Sequence, residues 1–287
     1  MCKRRIEMKF SICSWTFGDI PLEKTMEFVA KTGYDAIEIR AAVDDYNWRN
    51  IKQLAKNLDL EISGLTGDTG WPNEEQDLAN PSEDNRKKAI AYFERQIEAV
   101  KEVGAEYLVV CPSAVGKTAP MGNNGEDWKW AIDSVQRLTK KAEELNVTLV
   151  IEPLNRYESC IVNTGADATR FVKEVNHPKV KMLLDSYHMN IEERDLELPF
   201  LDAQDNLHIL HVADSNRRGM GRGLIDFKPF ISGVKRINFD GYVVVEATAP
   251  GPNPFQANKG ANMNMIYTFA EESLSFLQNN FKPVEQL

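Results

Sequence analysis

The chain has 287 residues, 43% hydrophobic and 27% charged, with a formal charge of −9. That is ample material for a globular core. An acidic chain whose Lys/Arg runs are no longer than three residues, as in KRR at the start, repels phosphate backbones, and no apolar run approaches the ~18 residues of a membrane span, so neither nucleic acid nor a bilayer is an expected partner. The four cysteines, Cys2, Cys13, Cys111 and Cys160, show no CxxC pairing and read as reduced thiols of a cytoplasmic protein.

Residues 1–8, MCKRRIEM, lack a signal-peptide core and read as a loose extension ahead of a single domain, with Met8 as a possible start. Beyond them one pattern recurs: a short apolar run, a polar turn, an amphipathic helix. FSICSWTF (10–17) reads as the first strand, followed by a helix with Leu22, Met26 and Val29 at helical spacing and Gly33 as its stop. AIEIR (36–40) and EISGLTG (61–67) are the next strands, each with a helix after it; the second helix runs from about Ser82 to Val103. YLVVCPSA (107–114) is the fourth strand, and the helix behind it carries the stripe Trp128, Ala131, Val135, Leu138 and Leu145. VTLVIEPLN (147–155) is the fifth strand, with a helix ended by His177-Pro178. VKMLLDSYH (180–188) is the sixth, with a weak helix near Pro199 to Ala203. LHILHVADS (207–215) is the seventh, and Asp226 reads as the N-cap of the helix after it. YVVVEATAP (242–250) is the eighth, before a last helix through IYTFAEESLSFLQ. Strands alternating with helices require parallel pairing and right-handed crossovers. Eight such units at this length predict an α/β fold, a single (β/α)8 TIM barrel with its active site at the C-terminal strand ends, with an open doubly wound sheet as the alternative. No GxGxxG follows the first strand and no GxxxxGK[ST] occurs, so the dinucleotide and P-loop readings have no support.

Strands buried on both faces should be apolar throughout, so polar residues at their ends stand out. Strands five to eight end in Glu152, Asp185, His211 and Glu246. A lone strand-end carboxylate is an ordinary cap or ion-pair partner; four successive strands, each delivering a ligand-type side chain to one rim, are not. Three carboxylates and an imidazole cannot cluster as free charges, and a divalent cation resolves the conflict. The oxygen-rich set favours Mn²⁺, with Mg²⁺ or Co²⁺ possible and Zn²⁺ less suited. Glu158, His188, Arg217 and Arg218 follow in the adjoining loops, and Trp15 at the end of the first strand is a candidate for stacking on a sugar. Thr66, Trp71 and Cys111 are further pocket candidates by position. Glu38, on the second strand, is expected to pair with Arg40 or another basic neighbour, and His208 to be structural.

The segments IEPLNRYES, LLDSYHMNIEE, HVADSNRRGMGRGLIDF and VVVEA together resemble the ketose 3-epimerases, the D-tagatose and D-psicose 3-epimerases of the xylose-isomerase-like barrels and sugar phosphate isomerases/epimerases. The resemblance implies a Mn²⁺-type ion held by Glu152, Asp185, His211 and Glu246. It also implies Glu152 and Glu246 as the catalytic acid/base pair, and Glu158, His188 and Arg217 as substrate contacts. The expected reaction is metal-dependent epimerisation at C3 of a free ketose through a cis-enediolate, by a cytoplasmic homodimer or homotetramer. Thr66, Trp71 and Cys111 do not fix a substrate, and GMGRG matches its loop only loosely. Other metal-dependent sugar isomerases of the same barrel are the alternative: aldose–ketose isomerases, inosose isomerases or dehydratases, and enzymes acting on 3-keto-glycosides. A phosphodiester hydrolase needs a basic groove and more than the four histidines here, and a catalytically silent sugar-binding protein has no use for an acid/base pair.

Overall fold

The computed structural model describes residues 8–123, 125–251 and 262–281. Of the expected N-terminal extension, residues 1–7 lie outside them. Eight strands form a closed barrel in chain order: β1 (Lys9–Cys13), β2 (Ala36–Arg40), β3 (Glu61–Thr66), β4 (Tyr107–Val110), β5 (Thr148–Ile151), β6 (Val180–Asp185), β7 (Leu207–Val212) and β8 (Tyr242–Val245). Every neighbouring pair is parallel, and β8 closes on β1 with Lys9 opposite Tyr242. The chain is therefore the (β/α)8 TIM barrel that the alternation predicts; the open sheet is excluded by closure.

Helices α1 (Leu22–Thr32), α2 (Trp48–Asn57), α3 (Glu83–Val103), α4 (Glu126–Leu145) and α5 (Gly165–Val175) follow the first five strands. After β6 come α6 (Ser186–Glu192) and α7 (Leu198–Ala203), then α8 (Phe227–Arg236) after β7 and α9 (Asn264–Asn280) after β8. Their ends follow local chemistry. Gly33 ends α1 at φ 94°, a left-handed position that suits glycine. Thr164 and Asp167 form a reciprocal capping box on α5, and the Asp226 carboxylate accepts from Lys228 N at the start of α8.

Alternation within each strand positions the functional rim. Successive side chains point to opposite faces. Leu108 and Val110, Leu149 and Ile151, Met182 and Leu184, Leu210 and Val212, and Val243 and Val245 join the core between barrel and helices. Tyr107, Val109, Val150, Leu183 and Ile209 form a separate cluster inside the barrel. Two residues beyond these inward positions stand Cys111, Glu152, Asp185 and His211, and Glu246 stands two beyond Val244, so the inward face turns polar at the C-terminal mouth. Several strands stop short of their expected ends, β4 at Val110 and β7 at Val212 among them. β1 stops at Cys13, and Trp15 sits on a short 3-10 turn, Ser14–Phe17, rather than on the strand. β6 stops at Asp185 because that side chain caps the next helix, accepting from Tyr187 N at 2.7 Å. His188 is therefore on α6, not at a strand end. Glu152 and Glu246 are each the first residue after their strands.

Candidate active site

Glu152, Asp185, His211 and Glu246 converge at the barrel mouth. Each is buried, and each offers a ligand atom, all within 4.8 Å of one another. His211 Nδ1 lies 3.2 Å from Glu152 Oε1 and 3.4 Å from Glu246 Oε1. Asp185 is fully buried, yet its Oδ2 finds no hydrogen-bond partner among the described residues. An unpaired buried carboxylate oxygen is costly. An oxygen-rich set of three carboxylates and one imidazole, with an orphan oxygen aimed into it, fits a hard divalent cation.

The electrostatics point the same way. Burial, reinforced by Glu246, pushes the Asp185 carboxyl up to about 7. Burial also raises Glu152, against the pull of His211. At Glu246 burial is outweighed: His211 and Arg217 hold it far below the ordinary carboxylate range. Burial opposes charge on His211, but Glu246, Glu38 and Glu152 outweigh it and raise the imidazole well above its usual value.

The remaining expected site residues crowd the same place. Trp15 Nε1 donates to Glu246 Oε1 at 3.0 Å. The Arg217 guanidinium is buried, donating to Glu246 Oε2 at 3.1 Å and Glu158 Oε1 at 3.4 Å. It lies over the rings of Tyr187, at 4.6 Å, and Trp15, at 5.3 Å. Burial and the carboxylates compete at Arg217, and Glu158 and Glu246 keep it charged. His188 Nδ1 accepts from the Asn155 backbone N–H at 3.0 Å, so a neutral ring carries its proton on Nε2. Burial and then Arg217 hold the ring neutral, far below its usual value. That Nε2 stands 3.6 Å from Asp185 Oδ2, too far for a hydrogen bond, and lacks any other partner among the described residues. The structure thus leaves one free acceptor and one free donor facing each other across the site.

A cavity of about 740 Å³ opens above these residues. Trp15, Glu152, Glu158, Arg217 and Glu246 line it, as do Arg40, Thr66, Trp71 and Cys111. All three residues proposed from position alone therefore reach the cavity wall. Arg218 does not, being exposed to solvent. The loops of that wall are tied by Lys117, whose buried ammonium meets Asp77 Oδ2 at 2.8 Å, Asp127 Oδ1 at 3.0 Å and the Ala79 carbonyl at 3.0 Å.

Of the two kinds of partner expected for Glu38, it is not Arg40, whose guanidinium binds Asp68 at 2.8 Å, but another basic neighbour, His211. Glu38 is fully buried inside the barrel, accepting from Thr66 Oγ1 at 2.5 Å and the Tyr107 hydroxyl at 2.7 Å, with His211 Nε2 3.3 Å away. The alternation in AIEIR carried the signal: if Ile37 and Ile39 face the helices, Glu38 faces inward. Asn155, which holds both His188 and Glu158, carried none beyond its place between them. His208 packs edge-on against the Tyr107 ring, as a structural residue would.

Comparison with known proteins follows the same lines. Residues 26–266 match the xylose isomerase-like TIM barrel family. A ketose 3-epimerase of Arthrobacter globiformis is 40% identical over 248 residues, covering 81% of this chain and 80% of the relative. A 3-dehydro-D-guloside 4-epimerase of Escherichia coli is 33% identical over 250 residues, covering 84% of this chain and 92% of the relative. Among solved structures, D-psicose 3-epimerase with D-tagatose from Clostridium cellulolyticum superposes with a TM-score of 0.87 at 27% identity, covering 96% of this chain and 100% of that one.

Proposed function

Because the chain belongs to the xylose isomerase-like TIM barrel family, we propose that it is a divalent-cation-dependent carbohydrate epimerase inverting C3 of a free ketose of the D-tagatose, D-psicose or D-fructose type. The observation that carries this reading is the convergence of Glu152, Asp185, His211 and Glu246 within 4.8 Å, with Glu152 and Glu246 also lining the cavity. These four would hold the ion, with Mn²⁺ preferred and Mg²⁺ or Co²⁺ accepted. A bound ion supplies Lewis-acid polarisation of the ketose carbonyl and its neighbouring hydroxyl.

The chain's own residues do the proton work. Inverting C3 means removing its proton on one face and returning one on the other. Glu152 and Glu246 follow strands three apart around the barrel, so they approach the mouth from different sides. Their environments are unequal: burial raises Glu152, whereas His211 and Arg217 hold Glu246 ionised. That inequality suits one carboxylate taking a proton as the other gives one up. The His188 Nε2–H, fixed by Asn155, donates to substrate oxygen as negative charge develops on the enediolate. Arg217 and Glu158 bind the adjoining hydroxyls, and Trp15 steadies Glu246. A cytoplasmic location, read from the unpaired cysteines, a single domain, and a homodimer or homotetramer, on resemblance alone, are part of the same proposal.

A second reading has its own support. The Escherichia coli relative aligned over 92% of its length is a 4-epimerase of a 3-dehydro-guloside, and the cavity of about 740 Å³ leaves room for more than one sugar ring. The proton chemistry is the same, one carbon further along. Incubating the protein with Mn²⁺ in D₂O with D-fructose, D-psicose, D-tagatose and L-ribulose, and in parallel with a 3-keto-glucoside, separates them. Deuterium at C3 with the C3 epimer as product supports the first reading. Exchange at C4 of the glycoside alone supports the second, and no exchange with any of them defeats both.

A further inference from the structure

The barrel interior below the site contains a fully buried carboxylate that the proton chemistry does not use. Glu38 projects inward from β2 and meets the Nε2 of His211, whereas Glu152 and Glu246 meet its Nδ1. His211 presents Nδ1 to the ligand cluster, 3.2 Å from Glu152 Oε1, and Nε2 to Glu38 Oε2 at 3.3 Å. From these contacts we infer that Glu38 is a positioning residue for the cation site: it accepts the Nε2–H of His211 and thereby fixes the tautomer whose bare Nδ1 faces the ion. This rests on the proposed cation site.

Two observations make Glu38 a holder of His211 rather than a ligand itself. Glu38, Cys13 and Glu246 also offer atoms within 4.8 Å of one another, so proximity alone does not decide. But both Glu38 oxygens are already engaged, Oε1 by the Thr66 hydroxyl and Oε2 by the Tyr107 hydroxyl. Cys13 Sγ is likewise engaged, 3.1 Å from Thr66 Oγ1. The scaffold around Glu38 is equally built. A Cβ on Gly64 would fall 2.1 Å from the Tyr107 ring, so only glycine there lets Tyr107 lie where its hydroxyl reaches Glu38. A carboxylate holding the outer nitrogen of a ligand histidine orients the ring and raises its basicity.

The test compares Glu38→Leu with Glu38→Gln. Gln keeps an acceptor for Nε2–H and Tyr107, and its amide can donate to a turned Thr66 hydroxyl; Leu keeps neither. Titration calorimetry with Mn²⁺ should show Glu38→Leu weaker by about 10–100-fold and Glu38→Gln within about threefold of the unaltered protein. The independent readout is ¹⁵N NMR of His211 in the unaltered protein loaded with diamagnetic Mg²⁺, expected to show a protonated Nε2 and a bare Nδ1. A proton on Nδ1 overturns the inference even if Glu38→Leu fails to fold, as does a folded Glu38→Leu that binds Mn²⁺ normally. Absence of Mn²⁺ binding by the unaltered protein defeats the cation site itself, which is a separate failure.

Discussion

The two halves of the barrel mouth are built differently. At the ends of β5 to β8, ligand-type side chains stand within one residue of the last strand residue, two positions after an inward residue, and their places follow from the pleat. Beyond β1 to β4, strand-end Arg40, Thr66 and Cys111 bring no cluster of metal-ligand type, and much of the cavity wall comes from a 3-10 turn and long loops: Trp15, Trp71, and the segments tied by the buried Lys117–Asp77–Asp127 cluster. The β-strand ends are rigid and hold charge; the loops are shaped by contacts between segments far apart in sequence. One half is suited to chemistry, which demands fixed geometry, and the other to recognition, which varies with loop sequence at little cost to the scaffold.

The sharpest way to break this division is to strike the chemical half. Glu152→Gln and Glu246→Gln each preserve shape but remove a proton carrier, and each should lower C3 exchange of solvent deuterium by about 10³-fold or more. Retained exchange in either variant removes that carboxylate from the mechanism and weakens the assignment of chemistry to strands five and eight.

A smaller effect should appear in cation affinity against pH. Asp185 is raised to about 7 by burial and Glu246, so below that pH its carboxyl holds a proton that an incoming cation must displace. Affinity for Mn²⁺ should be highest above pH 7 and fall as pH drops through it, by up to about tenfold per unit for each proton displaced. Calorimetry at pH 8, 7 and 6 in buffers of different ionisation enthalpy measures both the affinity and the proton release. A flat profile would mean that neither Asp185 nor the raised His211 imidazole gives up a proton to the ion, against their assignment as ligands.

The same division explains what the sequence revealed. The barrel was legible because eight apolar runs alternate with helical stripes, and the quartet because each member interrupts a run that should be apolar. Glu38 interrupts such a run too, but beside Arg40 it read first as that residue's partner; the pleat of β2 turns it inward, and only closure of the barrel brings it to His211. The end of β6 was misplaced because Asp185 serves twice, as an inward strand residue and as the cap of α6. Lys117 gave no signal at all. Its partners, Asp77 and Asp127, lie in the loop before α3 and the first turn of α4, and three charges in polar loops read as solvated until the fold buries them together.

The recognition half yields the smallest predicted effect. Trp71 remains 38% exposed at the cavity wall and offers a ring face large enough to cover a sugar. Losing that face should cost about 0.5–1.5 kcal/mol of binding, a rise in KM of about 3–10-fold, with kcat nearly unchanged because no proton carrier moves. Steady-state kinetics of Trp71→Ala on the ketose that the panel identifies measures the split. A fall in kcat with constant KM would place Trp71 in the chemistry and dissolve the boundary between the two halves. A KM shift confined to one substrate would instead show that this wall selects among keto sugars, a task the chemical half cannot perform because every candidate substrate presents it with the same hydroxy-ketone.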